Sequence, residues 1–307
     1  MAAIEVRGVT KQYGDVTAVS GLDLTVEEGE VYGFLGPNGA GKSTTINVLL
    51  DFVRPTAGEV TVLGRDAREG SVPIRERTGV LPEAFDVYGR LTGRQHLEFA
   101  IESKEVDADP DAILERVGLE GEEERRAGEY SKGMRQRLVL GMALVGEPDL
   151  LILDEPSTGL DPNGARDMRT IVREENERGA TVFFSSHILG QVEAVCDRVG
   201  ILREGTLVAE DSVEGLRDAV GTESTLHVTV ESVDEEAVEA VRGLDGVSRV
   251  EVDGDTVTVG CDDAAKTRVI GALEDGGMSV VDFETREASL EELFVAYTEE
   301  EGAEVAG

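Results

Sequence analysis

Residues 36 to 44, Gly-Pro-Asn-Gly-Ala-Gly-Lys-Ser-Thr, put a lysine and two hydroxyls directly behind three spaced glycines. The spacing is G-x-x-x-x-G-K-[ST], and the chemistry it suits is phosphate binding. Gly36, Gly39 and Gly41 let the backbone turn so that successive N–H groups cradle phosphate oxygens, with Pro37, Asn38 and Ala40 completing the loop. Lys42 has the reach to meet β- and γ-phosphates, and the Ser43 hydroxyl can ligate Mg²⁺. Thr44 follows at the start of a helical pattern, whose N-terminus adds partial positive charge at the same point. A chance Gly-rich turn closing a βα unit would not need Lys-Ser after its third glycine.

Further candidates stand at the ends of apolar runs. Asp154 and Glu155 follow Leu150–Leu153. Two adjacent acids there can be solvated loop residues, but with a phosphate loop in the chain Asp154 reads better as a Mg²⁺ ligand. Glu155 is then positioned to orient or deprotonate an attacking water. His187 is one of three histidines and follows the run Thr181–Phe184. A lone histidine is usually structural; at this strand end a γ-phosphate contact is the preferred reading. Ser131 reads as the N-cap of a helix, whose terminus can also bind an anion. Tyr13 sits in a polar turn, where stacking on a base and packing over a strand edge are both open.

These residues need a scaffold that brings strand ends together. Val31–Leu35 reads as a buried strand before the loop, and the helix after it runs to near Val53. Ile4–Val9 and Leu22–Val26 alternate as half-buried strands. Thr78 to Glu83 is a short apolar run ending in an acid. Residues of about 84–147 are mostly helical in pattern, with Asp109-Pro110 as one start, and read as a helical lobe inserted between strands of one sheet. Leu150–Leu153 is apolar throughout, as a central parallel strand is. Asp161 and Pro162 open another helix as N-cap and first residue. Arg198–Leu202 and Thr206–Ala209 read as a closing hairpin around Glu204-Gly205. The pattern therefore predicts an α/β domain over residues 1–220. Residues 221–307 read as a small α+β domain of βαββαβ order, a ferredoxin-like sandwich. Ser289 is expected to cap a last helix over Leu290–Tyr297.

At 307 residues, one large or two unequal domains are expected. The formal charge is −35, from 29 basic and 64 acidic residues, which argues against nucleic acid as a partner. Residues 221–307 alone hold 23 acidic and 5 basic residues, a net of −18. Only Lys11, Lys42, Lys104, Lys132 and Lys266 are lysines. An acid-rich, lysine-poor chain fits adaptation to concentrated salt, where screening relieves self-repulsion; an ordinary acidic protein is the alternative. Cys196 and Cys261 do not make a disulfide framework, so a reducing cytoplasm is expected. The N-terminus lacks a signal-peptide pattern, and no apolar run approaches a membrane span. A membrane role would have to come through a partner.

Together these motifs resemble the ATP-binding subunit of an ABC transporter over residues 1 to about 220. Gly36–Thr44 is similar to the Walker A loop of the P-loop NTPase core, and Leu150–Asp154 to Walker B, with Glu155 at the catalytic base position. Gly159-Leu160-Asp161 resembles the D-loop, and His187 the switch histidine. Tyr13 matches the aromatic that stacks on adenine. Tyr130-Ser-Lys-Gly-Met-Arg-Gln resembles the signature Leu-Ser-Gly-Gly-Gln, with Tyr130 for Leu, Lys132 for the first Gly and Met134 for Gln; Ser131 and Gly133 are kept. Glu83 stands at the Q-loop position, where the family has Gln and where a carboxylate can also ligate Mg²⁺. The Leu-Pro-Glu and Ser-Lys-Gly-Met variants and the ending Ser-Leu-Glu-Glu-Leu-Phe resemble an exporter subgroup with separate permeases. The resemblance implies ATP and Mg²⁺ as ligands, a membrane permease encoded separately, and peripheral attachment to the cytoplasmic face of the membrane. It also implies a homodimer, or a pseudo-symmetric dimer, with ATP at the interface, where Ser131, Gly133 and Asp161 reach nucleotide. A soluble ABC-type ATPase with a mechanical role is the alternative. A small-molecule kinase would leave Ser131, Glu155, Asp161 and His187 unexplained as a set.

Overall fold

The computed structural model describes residues 1–219, 224–262 and 264–286. The chain forms two compact units, Met1–Val213 and Glu214–Gly307, which are described separately. The expected helix over Leu290–Tyr297 lies outside the described residues.

The first unit opens with an antiparallel sheet of β1 (Ala2–Tyr13), β2 (Val16–Glu27), β4 (Ala57–Val62) and β5 (Arg65–Asp66), in the order β2-β1-β4-β5. Its alternation is that of a sheet with one wet face: Leu22, Leu24 and Val26 are buried while Asp23, Thr25 and Glu27 are exposed. The second sheet is built differently. β3 (Val31–Leu35), β7 (Leu150–Asp154) and β8 (Thr181–Ser186) are buried at every residue. That is what an apolar run packed on both faces requires. The order is β10-β9-β3-β8-β7-β6, with β6 (Thr78–Leu81) at one edge and the hairpin β9 (Arg198–Arg203) and β10 (Thr206–Ser212) at the other. Strands β9, β3, β8, β7 and β6 are parallel, and β10 runs against β9. The ring of Phe183 on β8 meets those of Tyr32 and Phe34 on β3 at 5.9 and 5.1 Å between centroids.

This register aligns the strand ends that carry the candidate residues. Leu35 pairs with Ser186, and Asp154 with Ser185, so the residues after β3, β7 and β8 emerge side by side. Ligand sites of open α/β sheets form at such carboxyl ends. Helix α1 (Lys42–Leu49) begins in the phosphate loop. It stops short of the expected Val53: Asp51 turns left-handed at φ 53°, and the N–H groups of Phe52 and Val53 both donate to Asn47 O.

Short helix α2 (Ser71–Glu76) precedes β6. The helical insert then runs between the adjacent strands β6 and β7 as α3 (Gly93–Lys104), α4 (Pro110–Arg116) and α5 (Lys132–Leu144), with a 3₁₀ turn at Ala127–Glu129. Its starts are capped by their own side chains. Thr92 and Gln95 form a reciprocal capping box for α3, Asp109 caps α4 with Pro110 behind it, and Ser131 caps α5. Helix α6 (Pro162–Glu177) follows β7, and α7 (Leu189–Glu193) follows β8.

After α8 (Val213–Ala219), the second unit has the strand–helix–strand–strand–helix–strand order expected of it. The elements are β11 (Ser224–Val230), α9 (Glu235–Arg242), β12 (Val247–Asp253), β13 (Thr256–Cys261), α10 (Lys266–Asp275) and β14 (Val280–Arg286). The antiparallel sheet order β12-β13-β11-β14 is that of a ferredoxin-like sandwich. Leu226, Val228, Val257 and Val259 from the sheet pack with Val238 and Val241 of α9 and Val269 and Leu273 of α10.

Candidate functional site

The phosphate loop takes its shape from backbone that only glycine supplies. Gly41 has φ 110°, and a Cβ there would lie 2.4 Å from Ala18 O. At Gly36 a Cβ would lie 2.5 Å from Leu202 O. A cavity of about 220 Å³ opens over the loop, lined by Ala18, Asn38, Gly39, Gly41, Lys42, Ser43, Thr44, Glu83 and Glu155. Pro37 is exposed and Ala40 buried beside these residues.

Lys42 is buried, and its ammonium donates to Gly36 O at 2.7 Å and Pro37 O at 3.3 Å. The same nitrogen lies 3.6 Å from Glu155 Oε1. A lysine held on two loop carbonyls and one carboxylate can exchange these partners for phosphate oxygens. The Ser43 hydroxyl donates to Glu83 Oε2 at 3.3 Å, so the acid after β6 reaches the loop.

Asp154 ends β7 and is 4% exposed, yet its Oδ1 has no hydrogen-bond partner among the described residues. Burial raises its carboxyl above the usual aspartate range, the hydroxyls of Ser185 and Ser43 oppose this, and the charges of Glu83 and Glu155 add to it. A buried oxygen left bare beside Ser43 suits a cation. Among the described residues no cluster of three or more His, Cys, Asp or Glu is arranged to hold a metal by itself. Mg²⁺ at such sites normally takes one or two protein ligands plus phosphate and water, so the donor set fits.

Glu155 is 5% exposed and adopts φ 51°, a conformation uncommon for a side-chain-bearing residue. Its Oε2 lies 2.8 Å from His187 Nδ1. Its Oε1 faces Lys42 without a hydrogen bond among the described residues. Ser186 supports the pair: its hydroxyl donates to Glu155 Oε2 at 3.5 Å and accepts from Ile188 N at 3.0 Å. Gln191 Oε1 accepts from the Ser157 hydroxyl and lies 3.4 Å from the Ser186 hydroxyl, as a second acceptor for its one proton.

Lys42, Ser43, Glu83, Asp154, Glu155 and His187 thus form one cluster from four strand ends. Ser131, Gly133 and Asp161 belong to a second group. The hydroxyl of Ser131 accepts from Met134 N at 3.2 Å. A Cβ at Gly133 would lie 3.5 Å from Gly159 O, and the side chain of Lys132 lies across Gly159. Asp161 caps α6 by accepting from Gly164 N at 2.8 Å. Tyr13 is 48% exposed at the end of β1, with Lys11 Nζ 4.7 Å from its ring centroid, and does not line the loop cavity.

Sequence reasoning missed Ala18, which lines the cavity from β2, and the hydroxyl–amide set of Ser157, Ser186 and Gln191. Their types carry no signal; Ser186 was findable only through its place beside His187.

The chain is similar to known proteins along almost its whole length. Residues 19–158 match the family described as ABC transporter, and residues 212–298 match the C-terminal domain of DrrA1-3-like ATP-binding proteins. The daunorubicin resistance ATP-binding protein DrrA3 of Streptomyces coeruleorubidus is 35% identical over 303 residues, 96% of each chain. The bacitracin transport ATP-binding protein BcrA of Bacillus licheniformis is 41% identical over 219 residues, 70% of this chain and 71% of that one. A solved ATP-binding subunit of an ABC transporter superposes with a TM-score of 0.66 at 29% identity, covering 71% of this chain and 93% of that chain.

Proposed function

The chain belongs to the ABC transporter family of ATP-binding proteins, and from that premise we propose that it drives export through a separately encoded membrane permease. It is an ATPase of that family. The observation that carries the reading is the cluster of Lys42, Asp154, Glu155 and His187 around one phosphate loop. The likeness along almost the whole chain to a drug resistance protein supports export. No helix among the described residues is long and apolar enough to cross a membrane.

In this reading the loop amides and Lys42 hold the β- and γ-phosphates, and Tyr13 stacks on the adenine. Ser43, Asp154 and Glu83 would hold Mg²⁺, which neutralises charge developing on the phosphates. Glu155 accepts a proton from the attacking water, and its contact with His187 orients it. His187 and Lys42 stabilise charge on the γ-phosphate. Two copies, or one copy and a similar chain, meet with two-fold symmetry. Ser131, Gly133 and Asp161 then complete the site on the partner. Hydrolysis opens the dimer, and the permease converts that motion into alternating access. The C-terminal unit is an accessory domain.

Capture of the tagged chain from detergent-solubilised membranes tests this. The expected result is a complex with a multi-span membrane protein, whose ATPase activity disappears with Lys42→Ala. Recovery with ribosomes or DNA instead would favour a mechanical role without transport.

A further inference from the structure

The backbone of Glu155 is held from two sides. On one side its N–H donates to Ser185 O on β8 at 3.0 Å. On the other, the side chain of Gln136 reaches across from α5. Gln136 is 3% exposed, and its Nε2 donates to Pro156 O at 2.6 Å and to Glu155 O at 3.3 Å. Two carbonyls facing one amide fix which end is nitrogen, because a flipped amide would set oxygen against oxygen.

Glu155 needs such support. A non-glycine residue at φ 51° persists only where its surroundings over-determine it. Its carboxylate is useful only while it faces Lys42 and His187 together. The residues that could relax are Pro156 and those after it, and Gln136 ties that stretch to α5.

We infer that Gln136 is a positioning residue for the reaction: it holds Glu155 in its working conformation and makes that conformation answer to helix α5. The inference rests on Glu155 being the base. Ser131 caps the same helix less than two turns earlier, so a displacement of α5 at its N-terminus reaches Glu155 through one side chain. The residue touches no reacting atom, and its effect falls on turnover rather than on nucleotide binding.

The test uses the full chain with Gln136→Met and Gln136→Glu, measuring steady-state ATPase, ATP affinity and melting. Gln136→Met keeps the volume and removes both donors. It should lower kcat by about 10- to 100-fold, the range for a misplaced catalytic group, with KM and ATP affinity within about twofold. Gln136→Glu separates positioning from packing. Its protonated carboxyl has one O–H to offer Pro156 O, whereas its ionised form sets a charge against two carbonyls. Its kcat, relative to wild type, should therefore fall as pH rises, while that of Gln136→Met should not. Normal kcat in Gln136→Met overturns the inference. So does a loss of ATP affinity in step with kcat, or the same pH dependence in both variants. Glu155→Gln runs alongside. If it is inactive while Gln136→Met turns over normally, only the inference fails. If it turns over normally, the base assignment fails and the inference with it.

Discussion

The carboxylate of Glu155 and the imidazole of His187 meet at 2.8 Å, Oε2 to Nδ1, across the ends of two neighbouring parallel strands. The contact occupies Nδ1, and in the proposed mechanism Nε2 is the ring nitrogen that meets a phosphate oxygen. His187→Ala removes both the orienting contact and the charge stabilisation. Turnover should drop by about 10²-fold, the usual cost of one such donor, while ATP binding by equilibrium titration stays close to wild type. Unchanged turnover would remove His187 from the mechanism.

Burial of Asp154 costs the folded chain stability near neutral pH. Its carboxyl is held above the usual aspartate range, first by burial and then by the charges of Glu83 and Glu155, against the hydroxyls of Ser185 and Ser43. A raised native value means the folded chain keeps its proton to higher pH than the unfolded chain. The resulting stability is complete below the unfolded value of about 3.9 and is lost as pH rises through the native one. Without nucleotide, Asp154→Asn should therefore melt above wild type at neutral pH and depend less on pH through the acid range. With Mg²⁺ and ATP the order should reverse. Melting curves across pH decide it, and a variant that melts below wild type at neutral pH without nucleotide contradicts the account.

Glu83 accepts the Ser43 hydroxyl at 3.3 Å and lines the loop cavity together with Lys42, which with the loop amides holds the phosphates in the proposed mechanism. Glu83→Ala should impair the coupling of hydrolysis to transport more than ATP affinity. Nucleotide titration beside transport in sealed vesicles measures both. A large loss of affinity with coupling intact would make Glu83 mainly a nucleotide ligand.

The 64 acidic residues outnumber the 29 basic ones, so charge repulsion is a net cost to the folded chain. As salt falls from 1 M to 0.1 M the Debye length grows from about 3 to about 10 Å. The melting temperature should fall over that range. A flat or rising temperature would count against salt adaptation.

The parts of the site legible in the sequence were those whose chemistry fixes both type and spacing. Gly36 to Thr44 is one such run, because the glycines, lysine and hydroxyls each do a separate job at a set position. The apolar run before Asp154 is another, since burial on both faces leaves no room for alternation. What stayed hidden depends on distant segments meeting. Gln136 and Pro156 are 20 residues apart, and Ala18 reaches Gly41 from a different sheet. A glutamine inside a helical pattern reads as a solvated face until the fold buries it. The end of α1 was overrun because Phe52 and Val53 continue the apolar pattern, while the backbone turns away at Asp51.

The most direct test is ATP turnover by Glu155→Gln, with ATP binding measured on the same preparation. The amide keeps the size of the carboxylate but cannot take a proton from water. Hydrolysis should fall by about 10²- to 10⁴-fold, the range for a general base, and bound ATP should be recovered uncleaved. Near-normal turnover would contradict the assignment of Glu155, and with it the mechanism built on this cluster.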